Sequence, residues 1–79
     1  MQEQNNSLPP KPPKRYLDDS TWGVQNIQSL AEKYPNEWVA IFKKRVVAHS
    51  ADLEHVFAAA EANNLDSPVI KFIEGDFIL

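Results

Sequence analysis

Apolar positions change their rhythm along this chain, and each change marks an element. Val24, Ile27, Leu30, Ala31 and Tyr34 recur at i, i+3, i+6, i+7 and i+10, which is one face of a helix. Lys33 falls in its last turn, where a cation suits the helix dipole, and Pro35-Asn36 stops it. Glu37–Phe42 then reads as a strand, because Trp38, Val39, Ile41 and Phe42 all favour the pleated conformation. Its apolar residues lie on both faces, so it is expected to be central and covered on at least one side. Lys43-Lys44 makes the turn. It lacks the Asn-Gly or Asp-Gly of a tight hairpin, so a longer loop, or Lys44 held at positive φ, is expected. Arg45–His49 returns as the second strand, with Val46 and Ala48 on one face and Val47 and His49 on the other.

Ser50 or Asp52 caps the next helix, whose stripe is Leu53, Val56, Phe57 and Ala60. Glu54, His55 and Glu61 take its other face, and Asn63-Asn64 ends it. Ser67-Pro68 opens a last strand at Val69–Ile73. Glu74-Gly75-Asp76 reads as a turn, and Phe77-Ile78-Leu79 as an apolar end that should pack on something. Trp38, Phe42, Phe57, Phe72 and Ile73 are the expected core aromatics and aliphatics. The order helix, strand, strand, helix, strand predicts a small α+β domain: a three-stranded sheet with helices on one face and a right-handed crossover into the last strand.

The first part of the chain has no such rhythm. Residues 1–7 are polar and unpatterned, which predicts disorder. In Leu8–Arg15, Pro9, Pro10, Pro12 and Pro13 fix φ and remove donors, so an extended polyproline segment is expected. Residues 1–23 therefore read as a Pro-rich tail and residues 24–79 as the domain. Tyr16, Leu17 and Trp22 are too apolar for an inert spacer; they either fold back on the domain or insert into a partner.

Composition narrows the function classes. A chain of 79 residues makes one domain. It has no cysteine, which removes disulfides, thiolate metal sites and thiol catalysis. No run of about 18 apolar residues is present to span a membrane, and the N-terminus is unlike a secretory signal, so a cytoplasmic setting is expected. The net charge of −3 is uneven. Residues 1–17 hold Lys11, Lys14 and Arg15 against Glu3, whereas residues 20–79 are acidic, a poor match for nucleic acid.

Candidate chemistry is sparse. His49, Asp52 and His55 have metal-ligand side chains, but they converge only if the helix entry turns in a particular way. Ser50 follows His49 but reads first as a helix cap. Gly23 and Gly75 are too far apart for a phosphate loop, and Asp18-Asp19 and Glu74/Asp76 are paired carboxylates in exposed turns. No enzyme activity and no cofactor is expected. The sharper signal is Pro10-x-x-Pro13-x-Arg15, a form that docks in aromatic grooves, followed by Tyr16, Leu17 and Trp22. Pro10, Pro13, Arg15, Tyr16, Leu17 and Trp22 are therefore the candidate partner-binding residues. The expectation is a non-enzymatic protein-interaction module or small accessory subunit whose tail docks on another protein. A metal- or small-ligand-sensing domain using His49, Asp52 and His55 is the alternative. A second copy could also seal the open sheet face.

Tyr34-Pro35, Trp38-Val39-Ala40-Ile41, Val46-Val47-Ala48-His49, Asp52-Leu53, Val56 and Pro68-Val69-Ile70, in this order and spacing, resemble a small domain family of unknown function numbered 5678. The resemblance covers about residues 27–74. Two positions depart from it: Lys43-Lys44 stands where the family has a turn glycine, and Ser50 follows His49 in place of glycine. The resemblance implies the same small α+β fold. It carries no established activity, and its similarity to small genomic companions of other proteins implies partner binding.

Overall fold

The computed structural model describes residues 11–75. Its elements are helix α1 (Lys14–Gln25), helix α2 (Ile27–Lys33), strands β1 (Glu37–Ile41) and β2 (Val46–Ser50), helix α3 (Leu53–Ala62) and strand β3 (Val69–Ile73). The sheet is antiparallel in the order β2-β1-β3, with Val39 opposite His49 on one side and Lys71 on the other. β1 is thus the central strand, as its apolar residues on both faces suggested.

The largest departure from the sequence pattern is α1. Residues 14–23, read as tail, are helical and belong to the folded unit. Pro13 is extended at φ −65° and stands at the helix start, where its missing N–H is no loss. Lys14 and Arg15 then reach Asp18 and Asp19 one turn later. The single helix expected over 24–34 is two helices that meet at Asn26, whose side-chain and backbone N–H groups both donate to the Trp22 carbonyl. Tyr16, Trp22, Ile27, Ala31 and Tyr34 pack on a core of Leu30, Val39, Ile41, Val69 and Ile73.

Ala40 lies between Val39 and Ile41 and points to the opposite face, yet all three are fully buried. Both faces of β1 are therefore covered. α1 and α2 lie on the Val39 face, and α3 packs over β1 and β2 on the Ala40 face, burying Val56 and Ala60. The α+β class and three-stranded sheet hold, but the helices divide between the two faces. α3 does not extend across β3. For that reason Phe57 and Phe72, expected in the core, are 50% and 40% exposed, while Ile73 on the other face is fully buried.

The hairpin between β1 and β2 closes in two residues. Phe42 N–H donates to Arg45 O at 2.9 Å, and Lys43 and Lys44 have φ of 57° and 60°. Positive φ at both central positions is the mark of a type I′ turn, whose twist matches that of the strands. Asp52 is the cap of α3, accepting from Glu54 N–H at 3.0 Å, and Ser50 Oγ accepts from Asp52 N–H at 3.0 Å. Asn64, just past α3, takes the left-handed conformation at φ 54°. Among the described residues no helix is long and apolar enough to cross a membrane.

Candidate functional site

Asp19 organises one end of the molecule. Its carboxylate is 1% exposed. It accepts from Lys43 N–H and Lys44 N–H at 2.9 Å each, and from the Arg15 guanidinium at 2.8 Å. Burial pushes this carboxyl up. The Lys43 amide, the Arg15 guanidinium and the Lys44 amide outweigh that push and hold it below its ordinary value. Consecutive amides in a left-handed turn form a concavity that suits an anion, and here the anion is a side chain of the same chain. Arg15 also donates to the carbonyls of Asp66 and Ser67 and stacks over Phe42 at 4.3 Å. The start of α1, the β1–β2 turn and the loop before β3 are thereby tied together.

This arrangement uses several residues that the sequence marked for partner docking. Arg15 is engaged inside the fold, Tyr16 and Trp22 are half-buried against the core, and Pro13 opens α1. Leu17 remains outward at 54% exposure. Pro10 lies outside the described residues. The spacing Pro10-x-x-Pro13-x-Arg15 is therefore not a continuous extended ligand, because Arg15 is already in the first turn of α1.

The histidines separate. His49 Nδ1 lies 2.7 Å from Glu37 Oε1, and its ring packs on Tyr34 with centroids 4.6 Å apart, on the α2 side of the sheet. His55 is on α3, 3.8 Å from Asp52 Oδ2 and 3.5 Å from Ser50 Oγ. Among the described residues no three of His, Asp or Glu form a group that could hold a metal. The Ser50–His55–Asp52 set looks like a catalytic constellation in composition only. Ser50 and Asp52 oxygens accept the backbone amides at the start of α3, and His55 and Asp52 stand in solvent with nothing to enclose a substrate.

Beyond these side chains the surface carries open depressions. On the Ala40 face, Phe57, Leu65, Pro68 and Ile70 line a shallow depression of about 500 Å³ between α3 and β3. Phe72 continues it along the strand and meets Trp38 edge-on, with ring centroids 5.2 Å apart. β3 is an edge strand, and among the described residues its outer side has no strand partner. On the Val39 face, a groove of about 350 Å³ runs between α1, α2 and β2. Trp22, Leu30, Tyr34 and Val46 supply its apolar lining, and Lys33 and Arg45 stand at it.

The model of a family of unknown function, DUF5678, matches residues 29–76. The chain belongs to this family. No curated protein and no solved structure matches it. The DUF5678 span begins inside α2 and takes in the whole sheet and α3, but α1 precedes it. The two-lysine turn has a physical partner. Lys43-Lys44 adopts the left-handed turn with its amides held by Asp19, a residue of α1 outside the DUF5678 span. One sequence signal pointed to this helix: Tyr16, Asp19, Gly23, Ile27 and Leu30 continue a helical spacing backwards from α2. It was hidden because its two fully buried positions are Asp19 and Gly23, types that a hydrophobic pattern counts as breaks.

Proposed function

We propose that this DUF5678 chain is a non-enzymatic protein-interaction module that accepts an extended apolar segment of another protein along β3. The observation that carries this reading is the pairing of an unpartnered strand edge with exposed aromatic surface beside it. Main-chain groups of an added strand would pair with β3, and its alternate side chains would enter the depression beside Phe57 and Ile70. Phe57 and Phe72 are each large enough to act as binding anchors, and exposed aromatics on so small a domain are costly to leave in water. A non-enzymatic role is supported by the use of Ser50 and Asp52 as helix-start acceptors. A cytoplasmic setting belongs to the same reading.

The test is capture of partners from the native cell with the intact chain and with a Phe57→Ser/Phe72→Ser double variant. Both substituted positions are solvent-facing, so the variant is expected to keep its fold by circular dichroism. Selective loss of a captured protein from the variant supports the reading. Equal capture by both forms overturns it, and a concentration-dependent dimer that the variant abolishes would reassign the surface to a second copy.

A further inference from the structure

The chain is acidic overall, but the fold collects its cations. Of its eight lysines and arginines, Lys14, Arg15, Lys43, Lys44 and Arg45 meet where the start of α1 lies against the β1–β2 turn. Of the acids there, Asp18 and Asp19 are used, and Asp66 is exposed and meets Arg15 through its carbonyl. Asp18 lies 3.2 Å from Lys14, and Asp19 is filled by Arg15 and the turn amides. Lys43, Lys44 and Arg45 are exposed. Arg45 then leads from this end into the groove between α1, α2 and β2, where Lys33 is the second cation and no carboxylate lines the walls. Asp52, Glu54, Glu61 and Glu74 lie elsewhere on the fold; Glu37, on the groove's face beyond Tyr34, is held by His49 at 2.7 Å, and Glu32 precedes Lys33 on α2.

We propose that this groove and the basic end beside it bind an acidic segment of a partner protein, one that carries an apolar side chain between its carboxylates. Carboxylates would meet Lys33, Arg45 and the turn lysines, and the apolar side chain would lie on the floor made by Trp22, Leu30 and Val46. The separation of charge along the molecule steers such a segment to this end and away from the acidic remainder. A protein segment fits better than nucleic acid for two reasons. At the turn, the Phe42 ring already carries Arg15 at 4.3 Å and Lys43 at 5.5 Å, and the groove's Trp22 and Tyr34 are half-buried against the core, so little open ring face is offered to a base. The acidic remainder also repels a long phosphate chain. Trp22 and Asn26 of the groove, and Lys14 and Arg15 of the basic end, come before the DUF5678 span, so the surface depends on this chain's α1 helix. It is independent of the β3 surface.

The experiment titrates the isotope-labelled full chain with a pool of short peptides made of Asp, Glu, Leu and Phe, with a matching pool of Asn, Gln, Leu and Phe, and with a thymidine oligonucleotide. The expected result is movement of the Trp22 indole and of the Asn26, Ser29 and Arg45 amides with the acidic pool only. Binding should weaken about tenfold in a Lys33→Glu/Arg45→Glu variant that keeps a native spectrum, and should be unchanged in Phe57→Ser/Phe72→Ser. No movement with the acidic pool, equal movement with the neutral pool, or tighter binding of the oligonucleotide would each overturn the proposal.

Discussion

The carboxylate of Asp19 accepts the amide of Lys43 at 2.9 Å across a sequence separation of 24 residues. With the matching bond to Lys44, it holds two lysines in a left-handed conformation that costs non-glycine residues about 1–2 kcal/mol each. Asp19→Ala should therefore destabilise the chain by about 3 kcal/mol, because it removes a buried acceptor of three donors. Lys43→Asn/Lys44→Gly, which suits a type I′ turn, should stabilise by about 1 kcal/mol and recover part of the Asp19→Ala loss. Urea denaturation of the four forms checks the coupling. Strict additivity would mean that the carboxylate and the turn strain are unconnected.

Acid should act through the same residue. The folded-state pKa of Asp19 is lowered, so its contribution to stability is fully present above the unfolded value of about 3.9 and is lost as pH falls through the lower folded value. Asp19→Asn keeps the shape and removes the titration. The stability gap between the two forms should be constant from pH 7 to about pH 5 and should close below pH 4. Urea midpoints measured at pH 7, 5 and 3 check this; a gap that widens toward acid would reverse the sign.

How much of this was legible follows from what each face requires. β1, β2, α3 and β3 were legible because Val39, Ile41, Val56 and Ile73 are apolar where the fold needs apolar residues. α1 was not. Its two fully buried residues, Asp19 and Gly23, work by hydrogen bonding and by absence of bulk, and neither registers as hydrophobic periodicity. The partition of helices over two faces was half legible: alternation showed that β1 is apolar on both sides, but not which helix covers which. The exposure of Phe57 was hidden for a related reason. It shares a stripe with Val56 and Ala60, and only the reach of α3, which stops short of β3, places it in solvent.

Gly23 gives a sharper test of how closely α1 is seated. A Cβ built there lies 3.0 Å from Cδ1 of Ile41, a fully buried side chain that would have to give by a few tenths of an ångström. Alanine would gain about 1 kcal/mol of helix propensity and lose about 1–3 kcal/mol to overpacking, so Gly23→Ala alone is expected to be neutral to destabilising. Ile41→Val removes Cδ1 itself and should cost about 1 kcal/mol on its own. In that background Gly23→Ala should become stabilising. A double-mutant cycle by thermal unfolding checks the sign change, and the same effect of Gly23→Ala in both backgrounds would show that α1 is not held at that distance.

The DUF5678 span alone should not be a stable unit of this chain. Removing residues 1–26 takes away Tyr16 and Trp22, which cover the face of Val39, Ile41 and Val69, and it leaves the turn lysines without Asp19. On a domain this small, the loss of one of two helical covers is comparable to the whole net stability of about 5–10 kcal/mol. The truncated chain is expected to lose cooperative unfolding by circular dichroism and dispersion in its amide spectrum. Removing residues 1–10 alone leaves every described contact of α1 in place, and that shorter truncation should unfold within about 1 kcal/mol of the full chain. Cooperative unfolding of the chain that begins at Ile27 would show instead that α1 is an accessory to an independently folding sheet.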